Sequence, residues 1–324
     1  MKDTALRADL VAAFGNRVQV HVPLAPFTTF RVGGPADVFL EPRSGAELII
    51  ALEIAGRHAC PVTMLGGGSN VVVSDRGVRG LVLRPRGGDI VEEGPGRVRA
   101  DAAVTINGLV RWMVGRGLSG LEAWAGTPGT VGGGVYGNAH WGGRLLSELL
   151  ISVRVWAPGR GVHDLPVADM EFGYDRSRLQ RTGEVLVSAL FAAGRGEPSA
   201  LRATSRESLG YRKRTQPLAA ASAGCIFQNP SDEDPVPAGI PRSAGALIDR
   251  AGLKGARLGG AQVSPTHANF IVNTGEARAA DIRALVARCR EAVRAKFGVV
   301  LREEVVYLGE PDAPAEEGRV DAVD

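Results

Sequence analysis

The sequence is poor in cysteine and histidine, and it has no long apolar run. Three cysteines, Cys60, Cys225 and Cys289, are odd in number and far apart, so they predict no disulfide framework and suit a reducing cytoplasm. Five histidines share no metal-ligand spacing, so we predict no metal site. No stretch approaches the roughly 18 apolar residues that span a membrane, and residues 1–15 lack the apolar core of an export signal. We therefore expect a soluble cytoplasmic protein with no membrane partner.

The sequence also lacks a large excess of positive or negative charge. The net charge of +3 is too small to indicate a nucleic-acid partner, although it leaves an anionic small molecule possible as substrate. Hydrophobic residues make up 44% of the chain and charged residues 23%, which is ordinary for a globular protein. A length of 324 residues allows about two domains with a substantial core.

Glycine, in contrast, is abundant and clustered. The 44 glycines concentrate in "LGGGSN" at 65–70 and in "AGTPGTVGGGVYGNAHWGG" at 125–143. Residues 132–137 fit G-x-G-x-x-G, but turn-rich sequence on both sides argues against a dinucleotide-binding βαβ unit. Neither cluster ends in Gly-Lys-Ser/Thr, which excludes a P-loop. Two interpretations remain: structural loops, or backbone N–H groups that cradle a pyrophosphate; two such loops in one lobe favour the second.

Hydrophobic periodicity predicts mixed helices and strands. A helix over 279–298 places Cys289 on an apolar stripe, so this cysteine is predicted to be a core residue. Ser44 is predicted to cap a helix over 44–59. The fold class is therefore α+β in two lobes. Further helices are predicted over 106–117, 196–214 and 243–255, and strands over 36–40, 61–65, 150–158, 184–191, 222–230, 268–273 and 299–308.

Three features allow more than one interpretation. Cys225, in "SAGCIFQNP", could be core filler, a nucleophile, a metal ligand or a proton donor. In the predicted strand over 299–308, either both Glu303 and Glu304 are solvated on an edge strand, or one of them points inward as a catalytic or electrostatic acid. The basic run at residues 211–214 is either a solvated helix end or a clamp for a phosphate or carboxylate.

Seven motifs in a fixed order resemble the UDP-N-acetylenolpyruvoylglucosamine reductase family, also called UDP-N-acetylmuramate dehydrogenases. The resemblance covers about residues 20–309 and points to the shorter, type II form, since no tyrosine-bearing insertion follows "FGYDRS". The motifs are "TTFRVGGPADVFLEP" (28–42), "LGGGSNVVVSDRGVRGLVL" (65–83), "GLEAWAGTPGTVGGGVYGNA" (120–139), "FGYDRS" (172–177), "RTQPLAAASAGCIFQNP" (214–230), "GGAQVSPTHANFIVN" (259–273) and "LREEVVYLG" (301–309).

The resemblance implies a two-lobed fold and a two-step reaction. An FAD-binding domain of the vanillyl-alcohol-oxidase (PCMH) type would occupy 27–195 and a substrate domain 196–309, after an N-terminal helix and lead-in over 1–26. The composition of residues 310–324, which are acidic and poor in aromatic residues, predicts a disordered tail. NADPH would reduce FAD, and the flavin would pass hydride to the enolpyruvyl ether of UDP-N-acetylglucosamine enolpyruvate. The product, UDP-N-acetylmuramate, is a peptidoglycan precursor. The protein is expected to be a monomer.

The resemblance also assigns roles to residues. Cys225 takes the position of the family's proton-donating serine, and Glu304 that of the glutamate assisting at the enolate. Arg176 is expected to stabilise the substrate carboxylate, although Asp175 separates it from Tyr174, so Arg178 is the alternative. The cofactor-binding positions are Thr28, Arg31, Gly66, Gly67, Gly68, Ser69, Asn70, Gly126, Thr127, Pro128, Gly129, Thr130, Gly132, Gly133 and Asn138. The substrate-binding positions are Tyr174, Arg214, Gln216 and Asn229.

A thiol is a reasonable proton donor, because its usual pKa of about 8.5 keeps it protonated near neutrality. A structural small residue and a nucleophile are the lower-ranked interpretations of Cys225. His140-Trp141 is a second departure from the family pattern, beside the flavin position. Two other functions compete: an FAD-dependent oxidase of the same superfamily, and a non-catalytic nucleotide-binding protein.

Overall fold

The computed structural model describes residues 2–311, so residues 312–324 of the predicted acidic tail lie outside the described residues. The helices are α1 (Lys2–Phe14), α2 (Gly45–Arg57), α3 (Ile106–Gly115), α4 (Val131–Tyr136), α5 (Leu179–Thr182), α6 (Pro198–Thr215), α7 (Ala244–Arg250) and α8 (Ala279–Phe297). No helix within residues 2–311 is both long and apolar enough to cross a lipid bilayer.

The strands are short, and most of them pair antiparallel. They are β1 (Gln19–Pro23), β2 (Pro35–Leu40), β3 (Val62–Met64), β4 (Val71–Val73), β5 (Val78–Leu83), β6 (Ile90–Glu92), β7 (Arg97–Asp101), β8 (Leu118–Ser119), β9 (His140–Trp141), β10 (Arg144–Leu145), β11 (Leu150–Ala157), β12 (Gly161–Pro166), β13 (Val185–Ala192), β14 (Gly194–Arg195), β15 (Arg257–Leu258), β16 (Ala261–Val263), β17 (Ile271–Asn273) and β18 (Val306–Leu308).

The chain forms two compact units, each made of separate segments. The first contains the chain up to Val20, Val38–Gly67 and Gly80–Arg212. The second contains His21–Asp37, Gly68–Arg79 and the described residues from Lys213 onward.

The first unit has two apolar clusters. In one, Leu6 and Leu10 of α1 pack with Leu48 and Leu52 of α2 and with the parallel pair β3 and β5. The predicted cap of α2 is confirmed, since the Ser44 side chain accepts a hydrogen bond from the Glu47 N–H. The other cluster lies on the antiparallel sheet β12-β11-β13-β7-β6, against which α3 and α4 pack. This second cluster supports the loop at 126–138.

The second unit is built around α8 and the sheet β15-β16-β17. The predicted apolar stripe of α8 is confirmed, with Ile282, Leu285 and Val286 buried. Cys289 is a core residue as predicted, and burial raises the pKa of its thiol to about 12. Strand β18 pairs in parallel with β4, which adds a short second ladder to this unit.

Two predicted strands are wrong. Residues 222–230 contain only isolated bridges, Cys225 to Phe270 and Phe227 to Glu303. The strand predicted over 299–308 shortens to Val306–Leu308. Both segments are apolar enough for strands, but their hydrogen bonds go to several different chain segments, so no continuous ladder forms.

The loop that follows residue 230 is held by one carboxylate. Asp234 Oδ2 accepts hydrogen bonds from the Ser231 N–H and hydroxyl, at 2.6 and 2.8 Å, and from Arg302 Nη2 at 2.8 Å. The Arg302 guanidinium, aided by Ser231, lowers the pKa of Asp234 from 3.8 to about 2. The loop is therefore stabilised by an ionised Asp234.

We expect Asp234→Asn to lower the thermal unfolding midpoint at pH 7 by about 1–2 °C, for a loss of about 1 kcal/mol. Because folding lowers this pKa, the contribution is complete above about pH 4 and is lost as the pH falls toward 2. Wild type and variant should therefore converge in thermal melts between pH 4 and pH 2. The control is Asp232→Asn, whose carboxylate is fully exposed, and a difference that persists unchanged at pH 2 would contradict the prediction.

Candidate active site

Two glycine loops touch in the first unit. A Cβ at Gly67 would lie 2.6 Å from the Gly129 Cα, and a Cβ at Gly66 would lie 2.7 Å from the Thr130 Oγ1. Side chains at either position would therefore push the loops apart. Glycine is required here because the two backbones lie in contact.

The same loops contain backbone donors that the fold does not use. Within residues 2–311, the N–H groups of Gly66 and Gly67 donate no hydrogen bond, and neither do those of Gly129 and Thr130. Gly66 and Gly67 are half-buried. A partly buried backbone donor without a partner is costly, and a run of such donors is the arrangement that binds phosphate oxygens.

The rest of the second loop is fixed by hydrogen bonds within the unit. Asn107 accepts from the Gly126 N–H at 2.6 Å and donates to the Thr127 carbonyl at 3.0 Å. Gly132 donates to the Ala102 carbonyl, and Gly133 donates to the Thr130 hydroxyl, which caps α4. The N–H groups of Gly126, Gly132 and Gly133 therefore hold the loop in place.

Arg212 supports this loop from the basic run at residues 211–214. Its Nη2 donates to the Thr127 Oγ1 at 2.8 Å, and its guanidinium lies 3.4 Å from the ring centroid of Trp141. Arg212 is buried, whereas Tyr211, Lys213 and Arg214 are exposed. The run is therefore neither a purely solvated helix end nor a uniform clamp.

Asn138 links the loop to the turn that carries the predicted arginine. It is fully buried at a φ of +44°, its Nδ2 donates to the Gly173 carbonyl at 2.8 Å, and its Oδ1 accepts from the Ser147 N–H. Its side chain has a structural role in this conformation.

The turn at 173–176 distinguishes the two candidate arginines. Gly173 and Arg176 exchange both backbone hydrogen bonds, with Asp175 at a φ of +51°. Arg178 forms a two-point pair with Glu184, at 2.8 and 3.0 Å. The Arg176 side chain is exposed and has no hydrogen bond or ion pair within residues 2–311. Arg176 is the arginine available to a ligand.

The second unit contains Thr28 and Arg31 of the first motif. A Cβ at Gly68 would lie 2.2 Å from the Phe27 carbonyl oxygen, so residues 27–28 and Gly68 are in backbone contact. Thr28 is buried and its hydroxyl donates to the Val32 carbonyl at 3.0 Å, while Arg31 is exposed at a φ of +57°. Thr28 shapes the segment, and Arg31 is presented to solvent.

Cys225 and Glu304 are brought together in this unit. The Glu304 N–H donates to the Ile226 carbonyl at 2.8 Å, and the Asn70 Nδ2 donates to the Glu304 carbonyl at 3.1 Å. The buried Asn269 binds both backbone groups of Phe227, at 3.0 and 2.7 Å, and accepts the Ile226 N–H through its own carbonyl. The thiol and the acid thus lie on adjacent, hydrogen-bonded segments.

The two acids of residues 303–304 have different environments. Glu303 accepts a hydrogen bond from Arg290 at 2.5 Å. Burial, and after it the influence of Glu303, raises the pKa of Tyr307. Glu303 therefore has a structural ion pair, which leaves Glu304 as the candidate functional acid.

The remaining substrate candidates do not share one structural role. Asn229 Oδ1 accepts the Ala244 N–H at the start of α7, at 3.1 Å. Arg214 is exposed at the end of α6 and Gln216 follows the helix, and neither side chain has a hydrogen bond within residues 2–311. Ser69 and Pro128 lie in their predicted loops, and Tyr174 is exposed on the turn.

Sequence reasoning missed the residues that hold the site in place. Asn107, Asn269 and the buried Arg212 each bond backbone or side-chain groups far away in sequence. The motif that contains Asn269 indicated the family but no role for this residue. The run that contains Arg212 indicated only a cluster of positive charge. No local pattern signals the partner of a buried amide.

The comparisons with known proteins agree with the motifs. The chain matches the family model "UDP-N-acetylenolpyruvoylglucosamine reductase, C-terminal domain" over residues 216–308 and "FAD binding domain" over 36–164. It is 40% identical to the UDP-N-acetylenolpyruvoylglucosamine reductase of Synechococcus sp. (strain JA-3-3Ab), across 95% of this chain and 96% of that one. With the one from Moorella thermoacetica it is 39% identical, across 95% and 98%.

The crystal structure of the reductase from Thermus caldophilus aligns with a TM-score of 0.76 at 34% identity, covering 90% of this chain and 99% of that one. The predicted α+β fold class, with its FAD-binding domain, is confirmed. The chain therefore belongs to the UDP-N-acetylenolpyruvoylglucosamine reductase family and is an FAD-dependent oxidoreductase.

Proposed function

We propose that this protein uses NADPH to reduce the enolpyruvyl ether of UDP-N-acetylglucosamine enolpyruvate to UDP-N-acetylmuramate. The observation that carries the proposal is the hydrogen bond between the Glu304 N–H and the Ile226 carbonyl, which sets a thiol and an acid on adjacent segments. In this family such a pair suits delivery of a proton to the substrate. The reaction supplies a precursor of peptidoglycan.

The residues of the glycine loops fit FAD. The unused N–H groups of Gly66, Gly67, Gly129 and Thr130 suit a pyrophosphate, whose oxygens need donors and no fixed cation. Bound there, FAD would supply the hydride-transfer chemistry that connects NADPH with the methylene carbon of the enolpyruvyl group. We assign the pyrophosphate contact to these backbone groups.

Cys225 would give its proton to the carbon next to the one that receives hydride. Addition of hydride and proton saturates the carbon–carbon double bond, and the resulting thiolate regains its proton from solvent. An ordinary thiol is protonated at neutral pH, as a general acid must be. Ile226, directly after Cys225, has both of its backbone polar groups bonded, so the backbone that carries the thiol is fixed.

Arg176 and Glu304 would act on the charge that develops during this step. Arg176 offers an unused guanidinium to the substrate carboxylate as negative charge builds up on it. Glu304 would assist at the enolate position, because Glu303 is already paired with Arg290. Tyr174, Arg214, Gln216 and Asn229 are assigned to substrate or nicotinamide contacts.

The first test follows the flavin by absorbance under anaerobic conditions. Purified protein should be yellow, NADPH should bleach it, and UDP-N-acetylglucosamine enolpyruvate should restore the colour. Bleaching without recovery would favour an oxidase of the same superfamily. Protein that takes up no FAD would favour a non-catalytic nucleotide-binding protein and would overturn the proposal.

The second test concerns the proton donor. Cys225→Ala should leave the NADPH half-reaction near wild type and slow flavin reoxidation by substrate about 10²–10⁴-fold, the usual contribution of a general acid. Cys225→Ser should remain active, because a hydroxyl can also give a proton. Cys60→Ala is the matched control, since this thiol lies outside the site. Normal reoxidation by Cys225→Ala would refute the role.

The third test concerns the glycine loops. Gly67→Ala places a methyl group 2.6 Å from the Gly129 Cα, so it should weaken FAD binding at least about tenfold, for the loss of one or two hydrogen bonds. FAD content and a fluorescence titration measure this, with circular dichroism to verify folding. Gly56→Ala, on α2 with open space around it, is the control. Wild-type FAD affinity in Gly67→Ala would contradict the assignment.

A further inference from the structure

Asp175, His140 and Tyr174 form a chain of contacts within the first unit. Asp175 Oδ1 lies 3.1 Å from His140 Nδ1, and the Tyr174 hydroxyl lies 3.2 Å from His140 Nε2. The imidazole and phenol rings are also in contact, with centroids 4.6 Å apart and planes tilted by 34°. His140 therefore connects a carboxylate to a hydroxyl through its two ring nitrogens.

The backbone that carries these groups is held on both sides. The Gly173 carbonyl accepts from Asn138 Nδ2 at 2.8 Å, and the Asp175 carbonyl accepts from Gln180 Nε2 at 2.9 Å. Asp175 itself adopts a left-handed conformation, which aspartate tolerates better than most residues do. The turn therefore presents the Asp175 carboxylate from a fixed position.

The Asp175 carboxylate is an unusual group to bury. Its side chain is only 9% exposed, and Oδ2 has no hydrogen-bond partner within residues 2–311. Burial of a carboxylate that is only partly hydrogen-bonded opposes folding. A role at the neighbouring His140 would explain why the group is tolerated.

The contact with Asp175 determines which ring nitrogen of His140 faces the Tyr174 hydroxyl. A carboxylate accepts the Nδ1–H, so the ring is held in one orientation and Nε2 faces the phenol. Tyr174 is 43% exposed, and an exposed side chain loses rotamer freedom when a ligand orders it. Because His140 already holds the Tyr174 ring, that ring loses less rotamer freedom when a ligand binds.

We propose that Asp175 and His140 are positioning residues that hold the Tyr174 hydroxyl in place for the substrate. The inference rests on the proposed function, in which Tyr174 contacts UDP-N-acetylglucosamine enolpyruvate. It goes further by making two other residues, both at departures from the family motifs, responsible for the strength of that contact. Asp175 acts through His140 and does not touch the substrate.

The test compares two substitutions of Asp175 with one of Tyr174. Asp175→Gly keeps the left-handed turn and removes the carboxylate, so it should raise the substrate KM and the Kd from flavin spectral titration about fivefold, the value of one hydrogen bond. Asp175→Asn keeps an acceptor oxygen and should recover most of this loss. The KM for NADPH should not change. Asp164→Asn, which removes an exposed carboxylate of the same unit, is the control.

A double-mutant cycle isolates the coupling. Tyr174→Phe alone should also weaken substrate binding about fivefold, and adding Asp175→Gly to it should cause less than a twofold further change. Flavin content and melting temperature are recorded for each variant. Multiplicative losses in the double variant, or an unchanged substrate KM in Asp175→Gly, would overturn the inference. Wild-type protein that neither binds nor turns over the substrate would refute the proposed function itself, and this inference with it.

Discussion

The contact between two glycine-rich backbones is the constraint on which the first unit's loops depend. Gly66 and Gly67 lie against Gly129 and Thr130 at distances that exclude a Cβ. At this contact the N–H groups of both loops stay outside the fold's own hydrogen bonds. Asn107 fixes the second loop through hydrogen bonds to Gly126 and Thr127. The donors are therefore in position before any anion binds, which lowers the entropic cost of ordering them on binding.

In the second unit, the segments that carry Cys225 and Glu304 are held without regular secondary structure. The segment at Cys225 has isolated bridges in place of a ladder, and side-chain amides supply the missing hydrogen bonds. Asn269 binds both backbone groups of Phe227, and Asn70 binds the Glu304 carbonyl. Buried polar groups that are fully bonded specify a single arrangement. This allows an irregular backbone to hold a thiol and an acid at defined positions.

Three arginines show that charge does not determine role. Arg212 is buried against Trp141 and bonds to Thr127, and Arg178 is paired with the buried Glu184. Arg176 alone among the three is exposed and has no side-chain partner within residues 2–311. The first two stabilise the fold, and the third is available to a ligand. The difference comes from the neighbours that each guanidinium meets.

The sequence by itself determined the features that depend on local chemistry. The Ser44 cap, the α8 stripe with Cys289, the family and the FAD-binding domain all follow from residues near in sequence or from ordered motifs. Tertiary structure alone decided that residues 222–230 form no strand, that Glu303 pairs with Arg290, and that His140 meets Asp175. Each of these depends on a hydrogen-bond partner far away in the chain, and a local pattern carries no information about which distant group will arrive.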